Sequence, residues 1–333
     1  MMRSIHRQTL QRTKLGTMDW FRDRIMDWGA AGTAYAPDGA SEQLQKYHFA
    51  FGFDSAISTT AGKYVFLYKK LGTKGLLLKE GEVLREINRS YYQAEVYEYP
   101  AAFITTDTGQ VLLAHCPKDY NRLDFEDVET GEILTDSVER QPQDIFHSRL
   151  ELSPNGRYLL SKAWVWQPWD VVEAFEVAAC LANPCLLDQG LFVPNSFGSE
   201  ICTASFIDDE RVVLYASAEE GFDDEQLPTV PPDHLAIWHL PTNTVSGAVP
   251  AACQLGTLYA INERYCWDVF GYPKVIDLHT GEVVAKVEDI FSGQQCSAII
   301  HYIEHTLPLL AYSRPLGKLA VQGPDGLEIL SFV

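Results

Sequence analysis

The sequence predicts an all-β fold: a β-propeller of four-stranded antiparallel blades, six by the simplest count and seven as the alternative, with a short N-terminal helix ahead of it. Two observations carry this. Gly81-Glu82-Val83-Leu84, Gly131-Glu132-Ile133-Leu134 and Gly281-Glu282-Val283-Val284 repeat one motif, and Gly326-Leu327-Glu328-Ile329-Leu330 is a looser fourth copy. Their glycines stand 50, 150 and 45 positions apart, which fits one period of about 50 and marks a repeat architecture. Between them the apolar residues fall in short runs bounded by turn residues, four runs to a unit, as antiparallel blades require.

Residues 1 to 17 read as a polar, basic tail. Thr17 can cap a helix with Asp19 in its first turn, and Met18, Phe21, Ile25 and Trp28 share a face at helical spacing. Gly29 and Gly32 would end it. The expected organisation is therefore a tail and helix over 1–47 and a propeller over 48–333. The first unit holds the run Tyr64 to Tyr68, then Leu76-Leu77-Leu78 and Val83 to Ile87 around the first Gly-Glu turn. The second repeats it with Phe103-Ile104-Thr105, Val111-Leu112-Leu113, Leu123-Asp124-Phe125 and Ile133-Leu134. The third and fourth units are expected from about residues 150 and 206, the fifth holds Val275 to Gly281, the sixth spans about 297 to 333, and the long gap from Gly131 to Gly281 should hide two degenerate turns near Gly190 and Asn243.

Ser153-Pro154-Asn155-Gly156-Arg157-Tyr158 resembles the strand-turn-strand of WD-repeat propellers. Ile237-Trp238-His239-Leu240-Pro241-Thr242-Asn243 and Val275-Ile276-Asp277-Leu278-His279-Thr280-Gly281 are similar to their third strand and following turn. The Gly-His dipeptide of that family is missing, and His239 stands where its Asp would be. The resemblance implies the closed ring and, as the commonest use of such rings, a binding platform. Folds of this kind also host enzymes, so function must come from the site.

Lys and Arg number 26 against 45 Asp and Glu, a net charge of −19. Such an excess repels nucleic acid and anionic lipid and attracts basic partners. It is unevenly spread: residues 208 to 233 hold nine acids against Arg211 alone. No run approaches the length of a membrane span, and the N-terminus has no apolar core of a secretory signal. The seven cysteines include no Cys-x-x-Cys pair. A cytoplasmic protein with reduced thiols, no structural zinc and no cofactor is the expectation.

His301-Tyr302-Ile303-Glu304-His305 spells a zinc-peptidase pattern that works only on a helix. Its neighbours Ile299, Ile300 and Pro308 favour a strand, where two histidines four apart stand about 13 Å from each other, so no metal is expected. No Gly-x-Ser-x-Gly elbow and no phosphate-cradling glycine loop is present. Trp164 is expected to pack between blades; Trp166 and Trp169, flanking Pro168, are candidate interface anchors. The acidic loop from Glu219 to Pro232 is the longest insertion between two strands, with Phe222 as its apolar centre.

In a propeller, the loops between second and third strands open on the same end as the connections between blades. The expected partner site gathers there: Tyr91, Tyr92, Asp119, Tyr120, Trp166, Trp169, Phe222, Asp223, Asp224 and Glu225. The function expected is non-enzymatic binding of a basic protein, in its sharper form as an inhibitor or immunity-type protein. The alternative is a propeller enzyme acting on a small molecule or saccharide in the central channel.

Overall fold

Short runs of β-branched and aromatic residues between Gly, Asp and Asn turns become strands because no run is long enough for a helix to bury a stripe. The structure, a computed structural model, describes residues 4–166, 168–221, 227–301, 303 and 307–333. Strand β1 (Ile5–Gln11) opens the chain. Blade 1 holds β2 (Asp19–Phe21), β3 (Arg24–Asp27), β4 (Thr33–Tyr35) and β5 (Ser41–Gln43). Blade 2 holds β6 (Ser55–Ser58), β7 (Tyr64–Tyr68), β8 (Lys74–Lys79) and β9 (Glu82–Asn88), and blade 3 holds β10 (Ala102–Thr105), β11 (Val111–His115) and β12 (Asp124–Asp127). In blade 4, β13 (Ile145–Phe146) and β14 (Glu151–Leu152) both pair β15 (Tyr158–Val165), followed by β16 (Trp169–Glu176), helix α1 (Val177–Ala182) and β17 (Leu191–Phe192). Blade 5 is β18 (Ser199–Phe206), β19 (Arg211–Glu220), β20 (His234–His239) and β21 (Thr244–Pro250). Blade 6 is β22 (Leu258–Ala260), β23 (Tyr265–Asp268), β24 (Lys274–Asp277) and β25 (Val283–Lys286). Blade 7 is β26 (Leu310–Ser313), β27 (Lys318–Gln322) and β28 (Gly326–Phe332), completed by β1.

Among the described residues these strands form seven antiparallel sheets. Their first strands lie side by side in chain order, β2 against β6, β6 against β10, β10 against β14, β14 against β18 and β18 against β22, and β26 returns to β2. The ring is closed by the chain's two ends: Ile5 pairs Phe332 and Gln11 pairs Gly326 across β1 and β28. Aromatic side chains fill the gaps between blades. Tyr158, Phe206 and Trp238 pack between blades 4 and 5, and Phe66, Tyr68 and Tyr99 between blades 2 and 3.

The count is thus seven, and the seventh blade comes from the segment expected as a helix. Residues 17 to 29 form β2 and β3, joined by a tight turn with Arg22 at φ 58°. Asp19 does not act in a helical first turn; its carboxylate accepts hydrogen bonds from Trp28 Nε1 (2.9 Å) and Ser58 Oγ (2.6 Å). Isolated helices of a dozen residues are marginal, whereas here β4 and β6 offer partners. The propeller accordingly includes residues before 48, and the tail supplies a strand.

The three strict Gly-Glu copies are one structural device. Gly81, Gly131 and Gly281 all have left-handed φ, at 84°, 76° and 73°, just after the third strand of their blades. Gly131 N donates to Asp127 O and Gly281 N to Asp277 O, each at 2.8 Å. Asn243 plays this part in blade 5 at φ 48°, while blade 4 replaces the turn near Gly190 with α1 and a 3₁₀ turn (Pro184–Asp188). Gly326 differs: it begins β28, and a Cβ there would stand 2.3 Å from Leu10 O.

Candidate functional site

One end of the ring carries an aromatic cluster built from three loops. The β9–β10 connection brings Tyr91 and Tyr92, the β11–β12 loop Asp119 and Tyr120, and the β15–β16 turn Trp166. Phe146, fully buried on β13, is the hub: its ring stacks on Trp164 at 3.9 Å and on Tyr120 at 4.5 Å, and meets Trp166 edge-on at 5.5 Å. Tyr92 leans on Tyr120 at 4.8 Å and on Trp166 at 6.4 Å. Rings at these separations and tilts attract beyond their buried area. The outer members stay open to solvent, Tyr92 at 41% and Trp166 at 46% exposure, and Tyr91 beside them reaches 84%.

Acids border this cluster. Asp144 accepts the Tyr120 hydroxyl at 2.6 Å, and burial together with that carboxylate pushes the phenol up to about 12. Asp119 and Glu95 are exposed nearby in sequence. The loop bearing Asp144 is hung from a buried ion cluster. Arg140 donates to both oxygens of Asp188 at 2.9 and 2.7 Å and reaches Asp124 at 3.3 Å, while Gln141 N and Gln143 Nε2 also bond Asp188.

Trp169 is not an anchor. It lies in β16, opposite Val165, and is 4% exposed among Ile145, Val171 and Phe192, because the strand resumes immediately after the turn and carries it inward. Phe222, Asp223, Asp224 and Glu225 lie outside the described residues. The acidic run from 208 to 233 does not form one patch either. Strand β19 spans the blade, so Asp208, Asp209 and Glu210 sit at its first turn and Glu219 and Asp233 at the opposite end.

Sequence reasoning missed Phe146 and the segment 287–309 between β25 and β26. This connection does not pass straight from blade 6 to blade 7. Ser292 Oγ donates to Val269 O (2.6 Å) in blade 6, then Ala298 N donates to Asp170 Oδ1 (3.0 Å) in blade 4, and Ile300 N to Val96 O (2.9 Å) ahead of blade 3. Leu307 and Pro308 return to pack against Gly293. Among the described residues a single bridge, Tyr97 to Ile299, remains of the strand expected there. His301 is exposed, and Tyr302, Glu304 and His305 lie outside the described residues. Its length and Pro308 were the available signals.

Ser292, Gln295 and Leu307 to Leu309 of this strap line one side of the central channel, which holds a cavity of about 360 Å³. Its wall is charged but mostly self-satisfied. Glu151 accepts from Lys162 (2.7 Å), Arg314 (2.9 Å), Ser205 (3.1 Å) and Phe206 N (3.0 Å). Asp54 accepts from Lys70 N and Lys69 Nζ, both at 2.7 Å. Burial pushes Asp19 up to about 6 despite its three donors. Beneath the strap tip, burial likewise raises Asp170 to about 7; Arg149 at 4.0 Å opposes that shift and Glu200 adds to it.

No protein-family model matches the chain, and no curated protein does. Among solved structures, 1054 chains match, a breadth that speaks for architecture rather than activity. The WD40 domain of Neurospora crassa Pan2 is one: 13% identical, with a TM-score of 0.53, over 96% of this chain and 89% of that one. At that identity the likeness establishes the fold alone. The chain is a WD-repeat-like β-propeller of seven blades.

Proposed function

We propose that this propeller binds a basic protein through the end carrying Tyr91, Tyr92, Tyr120 and Trp166, as an inhibitor or immunity-type protein would. The observation that supports the reading is the exposed edge of the aromatic cluster: large rigid rings, pre-packed on a buried hub and bordered by Asp119 and Asp144. Aromatic anchors ordered before binding lose little entropy on association, and acids beside them steer a cationic partner. The net charge of −19 acts in the same direction.

The test uses wild type and a Tyr92→Ala/Trp166→Ala variant as parallel baits in a lysate of the native host, with quantitative mass spectrometry. A partner specific to wild type is then measured directly. Trp166→Ala should cost about 2 kcal/mol or more of affinity. Replacing Asp119 and Asp144 with Asn should slow association, less so at high salt. Equal capture by both baits, or association indifferent to ionic strength, defeats the reading. The enzymatic alternative has the polar channel in its favour, but Asp19, Asp54 and Glu151 are already engaged by protein donors.

A further inference from the structure

Every carboxylate lining the channel named so far is closed by hydrogen bonds from the protein. Glu98 is the exception. Its side chain meets Lys70 at 3.7 Å, too far for a hydrogen bond, and neither side chain has another partner among the described residues. Their exposures are 17% for Glu98 and 31% for Lys70, so both face the cavity rather than bulk solvent alone.

The backbones around this pair are fixed, so the openness is not slack. Lys70 N donates to Asp54 at 2.7 Å and Lys70 O accepts from Tyr99 N at 2.9 Å. Glu98 O accepts from Ser148 Oγ at 3.3 Å. Two side chains of opposite charge on fixed backbones thus keep spare hydrogen-bonding capacity, three donors on the ammonium and the carboxylate's lone pairs. Beside them, Tyr259 lines the same cavity and its hydroxyl bonds no described residue. Tyr68 lines the cavity as well.

We propose that the channel binds a small zwitterion of the amino-acid type, with its ammonium group on Glu98 and its carboxylate on Lys70. A ligand bearing only one charge would satisfy one partner and leave the other worse paired than before. A zwitterion satisfies both and keeps the cavity neutral, which matters where both charged groups are largely withdrawn from water. The Tyr259 hydroxyl supplies a further donor or acceptor, and the ring of Tyr259, tilted by 30° against Tyr312 at 5.1 Å, gives an apolar wall for a side chain. The volume of about 360 Å³ lies in the range of small-molecule sites.

The experiment titrates each standard L-amino acid into the full chain by calorimetry at millimolar concentration, with ethylamine and acetate as single-charge controls. At least one amino acid should bind where both controls fail. Glu98→Gln and Lys70→Gln should each weaken that binding at least about tenfold, equivalent to about 1.4 kcal/mol. Both variants should melt with wild type, since neither side chain is hydrogen-bonded. Absence of binding by every amino acid to the wild-type chain overturns the proposal without reference to any variant. Binding that survives both substitutions, or is matched by either control, overturns it too. None of these outcomes bears on the aromatic end of the ring.

Discussion

Replacing Arg140 should unfasten the loop that presents Asp144 and Phe146. The Arg140 guanidinium is fully buried, as is Asp124, and Asp188 is nearly so. It makes two charge-assisted bonds to Asp188, a longer one to Asp124 and one to Leu123 O at 3.3 Å. Removal leaves Asp188 with the Gln141 amide alone on its carboxylate among the described residues, while Asp124 keeps Arg122 at 2.9 Å and Thr135 at 2.8 Å. The uncompensated charge is therefore essentially one buried carboxylate. Breaking a buried pair from one side costs about 3–5 kcal/mol, so Arg140→Ala should fall in that range. Asp188→Ala should cost a similar amount, and the double variant much less than the sum. Arg140→Met with Asp188→Leu should recover most of the loss, because desolvation of both charges is then relieved. Urea unfolding followed by tryptophan emission measures all four. A loss below about 1 kcal/mol in either single variant, or strict additivity in the double, would show that the cluster is not the clamp described here.

Three further outcomes follow from the fold. Deleting residues 1–11 should strip the outer strand from blade 7, exposing the edge of β28; size-exclusion chromatography should then show self-association, and a monomer of unchanged stability would contradict the closure. Gly281→Ala should destabilise by well over 1 kcal/mol, since its Cβ would stand 1.9 Å from Pro250 O at φ 73°, whereas Gly109→Ala, with open space at φ 81°, should cost only about 1 kcal/mol in a parallel denaturation series. Asp170 is raised to about 7, so the folded chain holds a proton that the unfolded chain has lost above about pH 4. Its contribution to stability therefore falls as pH rises from about 4 to 7. Asp170→Asn should remove that fall and be more stable than wild type at pH 8; parallel melts at pH 5 and pH 8 in which the variant gains nothing at the higher pH would reject the assignment.

The sequence made the blades legible where the turn chemistry was regular. The Gly-Glu copies at 81, 131 and 281 mark equivalent turns because a left-handed residue follows the third strand of each of those three blades. Blade 1 was within reach by the same logic. Gly39, at φ 88° between β4 and β5, stands 42 positions before Gly81, and Asp38-Gly39 is a hairpin signal. It was masked by the helical spacing of Met18, Phe21, Ile25 and Trp28, a pattern two short strands can produce by accident. Nothing local reveals β1, whose partner lies over 300 residues away.

The site divides along the same line. Loop topology alone put Tyr92, Tyr120 and Trp166 on one end, and their rings do meet. Trp166 and Trp169 could not be separated, because two residues decide whether a tryptophan is in the turn or back in a strand buried on both faces. The strap depends on contacts such as Ala298 with Asp170, 128 positions apart, which no period encodes.

Charge and apolar exposure are distributed differently on this ring, and the difference locates recognition. The regular turns put Glu82, Glu132 and Glu282, all exposed, on the end opposite the aromatic cluster, and Glu210 joins them there. Acids such as Asp119, Asp144 and Asp233 occupy the other end. Negative potential thus surrounds the molecule and can draw a basic partner to either end. Exposed large apolar side chains are not shared in this way. Among the described residues, Tyr47, Phe51, Tyr91, Tyr92, Trp166, Phe197, Leu227 and Phe291 all lie in loops that open on the aromatic end. Val83 and Val284 lie on outer strands, and Leu316 and Val333 sit on the opposite end. Scattered single exposures need no explanation, but such a bias toward one end does. Long-range charge can then set how fast a partner arrives, while the rings decide whether it stays. Substituting Glu82, Glu132 and Glu282 should accordingly alter association without altering dissociation, and Trp166 the reverse.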